Sequence, residues 1–166
     1  MPKEEADFVA ILKTLKAHKV DYIVVGGLCA VLNGAPVHTY DLDIVPLQTP
    51  DNLKRMEAAL LELQACYREQ LPKRLIPEAE KMTTDGHHLF STVAGPLDVL
   101  GAIAGKRDYS NLLPNTFELQ IEEGIWVRLL TLRMLIVTKR ETARNKDKLA
   151  LPILLRTLEE LERKGE

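Results

Sequence analysis

Cysteine is scarce in this chain of 166 residues, which has only Cys29 and Cys66. Neither lies in a CxxC pair or in a cluster with histidine, so the sequence excludes a disulfide framework and a cysteine-based zinc site. The first residues, MPKEEADFV, are acidic and amphipathic rather than basic and then apolar, which is untypical of a secretory signal peptide. Together these absences predict a cytoplasmic protein.

The chain also lacks a large net charge and a long apolar run. Its formal charge is −2, so nucleic acid would have to bind at a local basic patch rather than through the field of the whole molecule. No apolar run approaches about 18 residues, and we expect no membrane-spanning segment. The hydrophobic content of 46% predicts a globular chain with a substantial core.

The spacing of apolar residues predicts helices that alternate with strands. Helices are expected at residues 4–18, 28–33 and 49–65, and from 131 to the end, with Pro152 in the first turn of the last one. Strands are expected at Tyr22–Val25, Thr39–Val45, His87–Val93, Leu97–Ala102, Phe117–Ile121 and Ile125–Leu130.

This order of elements predicts an α/β first half and an α+β second half. We expect one mixed β-sheet flanked by helices, followed by C-terminal helices. The length favours a single domain over residues 1–166, with a core at about 20–130 and a helical part at about 131–166.

Three aspartates stand in apolar surroundings. Asp41 and Asp43 are separated by one apolar residue in the expected second strand, so their side chains should project from one face with Cα atoms about 6.5–7 Å apart. Asp98 stands alone in the apolar run GPLDVL. Carboxylates so placed can hold one or two Mg²⁺ or Mn²⁺ ions, and Asp98 can alternatively accept the proton of an attacking hydroxyl.

Each of these features also has a simpler interpretation. An Asp-x-Asp pair at a strand edge can be merely solvated, and Asp98 can be satisfied by a backbone turn near Gly95. However, the pair Gly26-Gly27 ends a short apolar strand fourteen residues before Asp41. A glycine turn that leads into a helix offers backbone N–H groups suited to a triphosphate, and the combination therefore favours phosphoryl transfer.

These residues resemble the nucleotidyltransferase superfamily of the polymerase-β type in the Gly-Gly turn, the Asp-Leu-Asp-Ile strand and the later strand aspartate. The segment KRETARNKD, residues 139–147, resembles the K…R.KD segment of AbiEii-type nucleotidyltransferases, the toxin components of bacterial toxin–antitoxin systems. The matches lie between residues 22 and 150. The resemblance implies metal-dependent transfer of an NMP from an NTP to a hydroxyl of RNA, tRNA, a protein or a small molecule.

The resemblance also implies roles for individual residues. It makes Asp41, Asp43 and Asp98 the catalytic triad that holds Mg²⁺ or Mn²⁺. It assigns nucleotide binding to Gly26, Gly27, Thr39, Lys139 and Arg144, with Asp147 as a supporting residue. Two positions depart from the family pattern, since Val37 stands where many relatives have arginine and Gly27 where many have a phosphate-binding serine.

Several alternatives stay open at this point. A catalytically silent nucleotide- or partner-binding module on the same fold is the main one, and a two-metal nuclease or phosphodiesterase is another. The basic residues of 139–148 form either a phosphate clamp or a solvated helix face. His87 and His88 are adjacent on an expected strand and face opposite sides, so they do not predict a metal site. The base preference, the acceptor, an antitoxin partner and a homodimer are not decided by the sequence.

Overall fold

The computed structural model describes residues 6–70, 73–83, 86–142 and 145–165, with the backbone alone at 145–147. The strands are β1 (Tyr22–Val25), β2 (Leu42–Pro46), β3 (Cys66–Tyr67), β4 (His87–Thr92), β5 (Gly95–Leu100), β6 (Thr116–Glu122) and β7 (Ile125–Leu130). The helices in this part of the chain are α1 (Phe8–Ala17), α2 (Gly26–Leu32), α3 (Pro50–Glu62), α4 (Tyr109–Leu112), α5 (Leu132–Thr142) and α6 (Asn145–Lys164).

The seven strands form one mixed sheet in the order β3-β4-β5-β2-β1-β7-β6. The central strand β2 runs antiparallel to β1 and parallel to β5. β7 runs parallel to β1, while β4 with β5 and β6 with β7 form antiparallel pairs joined by short turns. The predicted fold class, a mixed sheet flanked by helices with helices at the C-terminal end, is confirmed.

The side chains of β2 alternate between the apolar core on one face of the sheet and the aspartates on the other. Leu42 and Ile44 are fully buried on one face of the sheet, and Asp43 therefore points to the other. Phe90 of β4 and Leu97 of β5 are also fully buried and face each other across the antiparallel pair. This apolar layer fixes the register of β2. The buried residues on either side of Asp43 therefore determine the face to which its side chain points.

One buried amide ties the first two strands to a helix. Asn52 of α3 is fully buried, and its side-chain oxygen accepts a hydrogen bond of 2.7 Å from the backbone N–H of Asp21. Its amide nitrogen donates to the carbonyl oxygens of Asp21 and Leu47. Since Asp21 precedes β1 and Leu47 follows β2, these bonds fix the end of the β1–β2 pair opposite the site.

Strand β2 begins at Leu42 rather than at Thr39, so the expected strand was too long. Strand β1 ends at Val25, opposite Asp43, and offers no pairing partner beyond that point. The hydroxyl of Thr39 donates to the carbonyl oxygen of Asp41 at 2.9 Å, which makes a local turn. Asp41 therefore lies one residue before the strand, not on it.

The C-terminal helix also differs from the prediction. Pro152 lies inside α6, which begins at Asn145, rather than in its first turn. β3 and α4 are short and were not predicted from the apolar pattern. Among the described helices, none has the length and apolar character needed to cross a bilayer.

Candidate active site

The three predicted aspartates converge on one face of the sheet. Each of Asp41, Asp43 and Asp98 offers a carboxylate oxygen, and these oxygens lie within 4.8 Å of one another. Asp43 on β2 and Asp98 on β5 are directly paired in the parallel register, which places their side chains on the same face. Asp41 joins them from the turn before β2, so two strands and one turn build the cluster.

The two glycines leave room for the side chains beside them. Gly26 has a φ of +71°, and a Cβ there would lie 2.1 Å from Oδ2 of Asp43. A Cβ on Gly27 would lie 2.7 Å from the hydroxyl oxygen of Thr39. Glycine at both positions thus allows the strand-to-helix turn to approach the carboxylate and the hydroxyl closely.

The cluster is electrostatically unfavourable by itself. The pKa of Asp43 is raised to about 8, mainly because its side chain is buried. The negative charges of Asp41 and Asp98 and a hydrogen bond with Asp98 raise it further, whereas the positive charge of Lys139 lowers it. The three carboxylates therefore repel one another unless a proton or a cation lies between them.

These residues fit a divalent metal ion. Within the described part of the chain, Oδ1 of Asp43 is buried and has no hydrogen-bond partner, which is a costly state for a carboxylate oxygen. Oxygen-only ligands are the set that Mg²⁺ and Mn²⁺ prefer. A cation between the three carboxylates would satisfy that oxygen and keep Asp43 ionised at neutral pH.

Arg68 is a site residue that sequence reasoning missed. It follows β3, and its guanidinium reaches across β4 to donate 2.8 Å to Oδ1 of Asp98 and 2.9 Å to the carbonyl oxygen of Phe90. The side chain of Asp98 is only 12% exposed, so this ion pair is shielded from water. Arg68 balances one charge of the cluster and holds Oδ1 of Asp98.

Two neighbouring cavities meet at the carboxylates. The smaller one, of about 280 Å³, lies between the sheet, α5 and the segment after β5. The larger one, of about 510 Å³, extends over Asp41, Asp98 and Arg68 towards α6. Both are lined by Gly26, Asp43, His87, Leu100 and Lys139.

The remaining predicted residues divide into two groups. Gly27 and Thr39 line the larger cavity, and Lys139 lines both, so they lie beside the triad. Arg144 and the side chain of Asp147 fall outside the described residues. His87, which gave no metal signal in the sequence, points to the face of the carboxylates because it pairs with Leu100, two residues after Asp98 on the same face.

Comparisons with known proteins support this fold through structure alone. No protein-family model matches the chain, and no curated protein matches it. A Thermotoga maritima protein provisionally described as a nucleotidyltransferase matches with a TM-score of 0.54 at 17% identity, with 90% of each chain covered. The lincosamide antibiotic adenylyltransferase LnuA, solved with lincomycin bound, matches with a TM-score of 0.59 at 14% identity, over 89% of this chain and 93% of its own.

The antibiotic-resistance factor ANT(2'')-Ia, solved in solution, also has a TM-score of 0.59 at 14% identity, over 91% of this chain and 84% of its own. This chain has the nucleotidyltransferase fold. At such identities the likeness shows the fold rather than an activity, and it does not distinguish the AbiEii-type subgroup. The activity must be argued from the residues of the site.

Proposed function

We propose that this protein is a metal-dependent nucleotidyltransferase, which transfers an NMP from an NTP to a hydroxyl and releases pyrophosphate. One observation carries the proposal: three carboxylates converge within 4.8 Å around a buried, unpartnered oxygen of Asp43, on a face of the sheet bordered by Lys139. A silent module gains nothing from such a cluster, which weakens the fold unless a cation binds.

In this proposal the carboxylates hold the metal and the glycine turn holds the nucleotide. Asp41 and Asp43 would bind Mg²⁺ or Mn²⁺, which when bound would neutralise charge on the phosphates and on the leaving pyrophosphate. Gly26 and Gly27 would contact phosphate oxygens through their backbone. Lys139, which borders both cavities, would balance part of the remaining negative charge.

Asp98 is the proposed acceptor of the proton. Its Oδ1 is engaged by Arg68, so its second oxygen would accept the proton as the acceptor hydroxyl attacks the α-phosphorus. The new bond joins the acceptor oxygen to the α-phosphorus, and the bond from that phosphorus to the pyrophosphate oxygen breaks. Arg68 would keep the Asp98 side chain oriented through this step.

The proposal includes more than one class of acceptor. LnuA was solved with lincomycin bound, which favours a small hydroxylated molecule as the first acceptor to test. The AbiEii-type resemblance instead adds RNA, tRNA or a protein as acceptor, an antitoxin as partner and a toxin role to the proposal. A homodimer is a further part of the proposal.

Label transfer tests the proposal. Each of the four NTPs, labelled at the α-phosphate, is incubated with the protein and Mg²⁺ or Mn²⁺, together with total RNA, cell extract or a panel of small hydroxylated molecules. We expect label to move to one acceptor class with the wild type and with Lys54→Met, an exposed control on α3. We expect at least about a hundredfold less transfer with Asp43→Asn, because a metal ligand is lost.

Two outcomes would contradict the proposal. Undiminished transfer by Asp43→Asn would remove the carboxylates from the reaction. NTP binding that raises the thermal midpoint without any metal, together with no transfer to any acceptor, would show a silent nucleotide-binding module instead. A parallel reaction with γ-labelled NTP identifies transfer of the terminal phosphate to the acceptor, since nucleotidyl transfer leaves that label on pyrophosphate.

A further inference from the structure

The segment between β5 and α4 forms a closed loop beside the smaller cavity. The backbone N–H of Ile103 donates to the carbonyl oxygen of Arg107 at 2.9 Å, and the N–H of Arg107 donates back to that of Ile103 at 3.1 Å. These two bonds close residues 103–107 into a small loop, called the 103–107 loop here. Its conformation is therefore held by its own backbone.

An ion pair fastens this loop to α5. The guanidinium of Arg107 binds the carboxylate of Glu141 through two hydrogen bonds, of 2.5 Å and 2.9 Å, and also donates 2.6 Å to the carbonyl oxygen of Ala104. Bidentate geometry of this kind fixes direction as well as distance. A Cβ on Gly105 would lie 2.8 Å from the guanidinium, so glycine is needed for this close packing.

Lys106 lies within the 103–107 loop, directly before Arg107, and lines the smaller cavity. The φ of Lys106 is +55° and that of the preceding Gly105 is +75°, so two successive residues have left-handed backbone conformations. A lysine in this conformation is strained, and the closed loop and the ion pair hold it there. Within the described residues, no hydrogen bond or ion pair involves the ammonium group of Lys106.

The smaller cavity thus has two lysines and one carboxylate of the triad on its walls. Lys106 comes from the loop, Lys139 from α5 and Asp43 from β2. The cavity, at about 280 Å³, is below the roughly 300–1,000 Å³ of pockets that hold drug-sized ligands, so it fits a part of a nucleotide better than the whole. Two cationic groups beside a metal-binding carboxylate suit the most highly charged part, the terminal phosphates.

We propose that Lys106 is a phosphate-binding residue, which together with Lys139 holds the terminal phosphates of the nucleotide, and later the pyrophosphate, in the smaller cavity. The Arg107–Glu141 ion pair is a positioning device that holds the 103–107 loop in place for this contact. The inference rests on the proposed function for the identity of the ligand. The larger cavity then remains for the nucleoside and the acceptor.

Binding of inorganic tripolyphosphate, measured by calorimetry with and without Mg²⁺, tests this site without any need for activity. We expect Lys106→Met to weaken binding roughly tenfold, Lys106→Arg to restore most of it, and the control Lys54→Met to have no effect. All variants should keep the thermal midpoint of the wild type within a few degrees, because Lys106 is exposed. Wild-type affinity in Lys106→Met would overturn the proposal.

Glu141→Gln tests the positioning role of the ion pair. We expect this variant to weaken tripolyphosphate binding severalfold, but to add little in the double variant with Lys106→Met, because the ion pair acts through Lys106. Independent, fully additive losses would contradict that role. In label transfer, both single variants should raise the KM for NTP more than they lower kcat.

The two proposals can fail separately. If the wild type transfers no nucleotide but binds tripolyphosphate in a Lys106-dependent way, the proposed function is wrong and the phosphate site stands. If the wild type transfers nucleotide while Lys106→Met retains its KM and its tripolyphosphate affinity, the phosphate site is wrong and the proposed function stands.

Discussion

Replacing Asp43 by asparagine should make the metal-free protein more stable. Burial, with the charges of Asp41 and Asp98, raises the pKa of Asp43 to about 8 from an ordinary 3.8. Between these values the folded state holds a proton that the unfolded state has lost. The free energy of unfolding therefore falls as pH rises from about 4 to about 8, and this loss is complete above that range.

The size of the effect follows from the same shift. At pH 7, the pH is about 3 units above the ordinary pKa of Asp43. Each unit corresponds to about 1.4 kcal/mol, so the shift lowers the free energy of unfolding by about 4 kcal/mol. An asparagine side chain carries no charge but must still be partly buried, which costs about 1–3 kcal/mol. We therefore expect Asp43→Asn to gain about 1–3 kcal/mol at pH 7, or about 3 °C in thermal midpoint per kcal/mol.

Urea unfolding followed by circular dichroism in EDTA measures this gain. Wild type and Asp43→Asn are compared at pH 5, 7 and 9, with Glu160→Gln as an exposed control on α6 that removes one surface carboxylate. The advantage of Asp43→Asn should grow from pH 5 to pH 9, since the wild type loses stability over that interval. Equal stabilities at pH 7 and 9, or parallel pH profiles, would refute the electrostatic account of the cluster.

Two other substitutions probe the surroundings of the triad. Gly26→Ala should destabilise the fold by about 1–3 kcal/mol and remove the stabilisation by Mg²⁺. Residue 26 has a positive φ, and its new Cβ would collide with Asp43. An unfolding curve like that of the wild type would contradict the close approach. Arg68→Met should lower stability in EDTA by about 1–3 kcal/mol, because Asp98 loses its counter-charge, yet increase the midpoint shift caused by Mg²⁺. A smaller Mg²⁺ shift in that variant would show that Arg68 does not compete with the cation.

The part of the fold nearest the site was predictable because its signals are local. The β-branched run at Tyr22–Val25, the Gly-Gly pair and the alternation around Asp43 each determine their own structure within a few residues. The resemblance implied that Asp98 belongs to one triad with Asp43, whereas the apolar run around Asp98 indicated only that its carboxylate needs a partner. The parallel register between β2 and β5 brings them together.

The missed features depend on contacts that are distant in sequence. Arg68 reaches Asp98 across thirty residues and one intervening strand, from a segment with no apolar period. Lys106 lines its cavity from a loop that the ion pair between Arg107 and Glu141 fastens to α5, and those two residues are thirty-four apart in sequence. The start of β2 was misjudged because it depends on where its partner β1 ends, which sequence alternation does not report.

The proposed reaction requires a divalent cation bound by the carboxylates beside a nucleotide. A crystal of the protein grown with Mn²⁺ and an NTP analogue that cannot be cleaved between the α- and β-phosphates, with anomalous diffraction collected for manganese, tests this directly. We predict an anomalous peak bonded to oxygens of Asp41 and Asp43, with the α-phosphate beside it and the terminal phosphates near Lys139. A nucleotide bound elsewhere, or carboxylates with no manganese between them, would contradict the account.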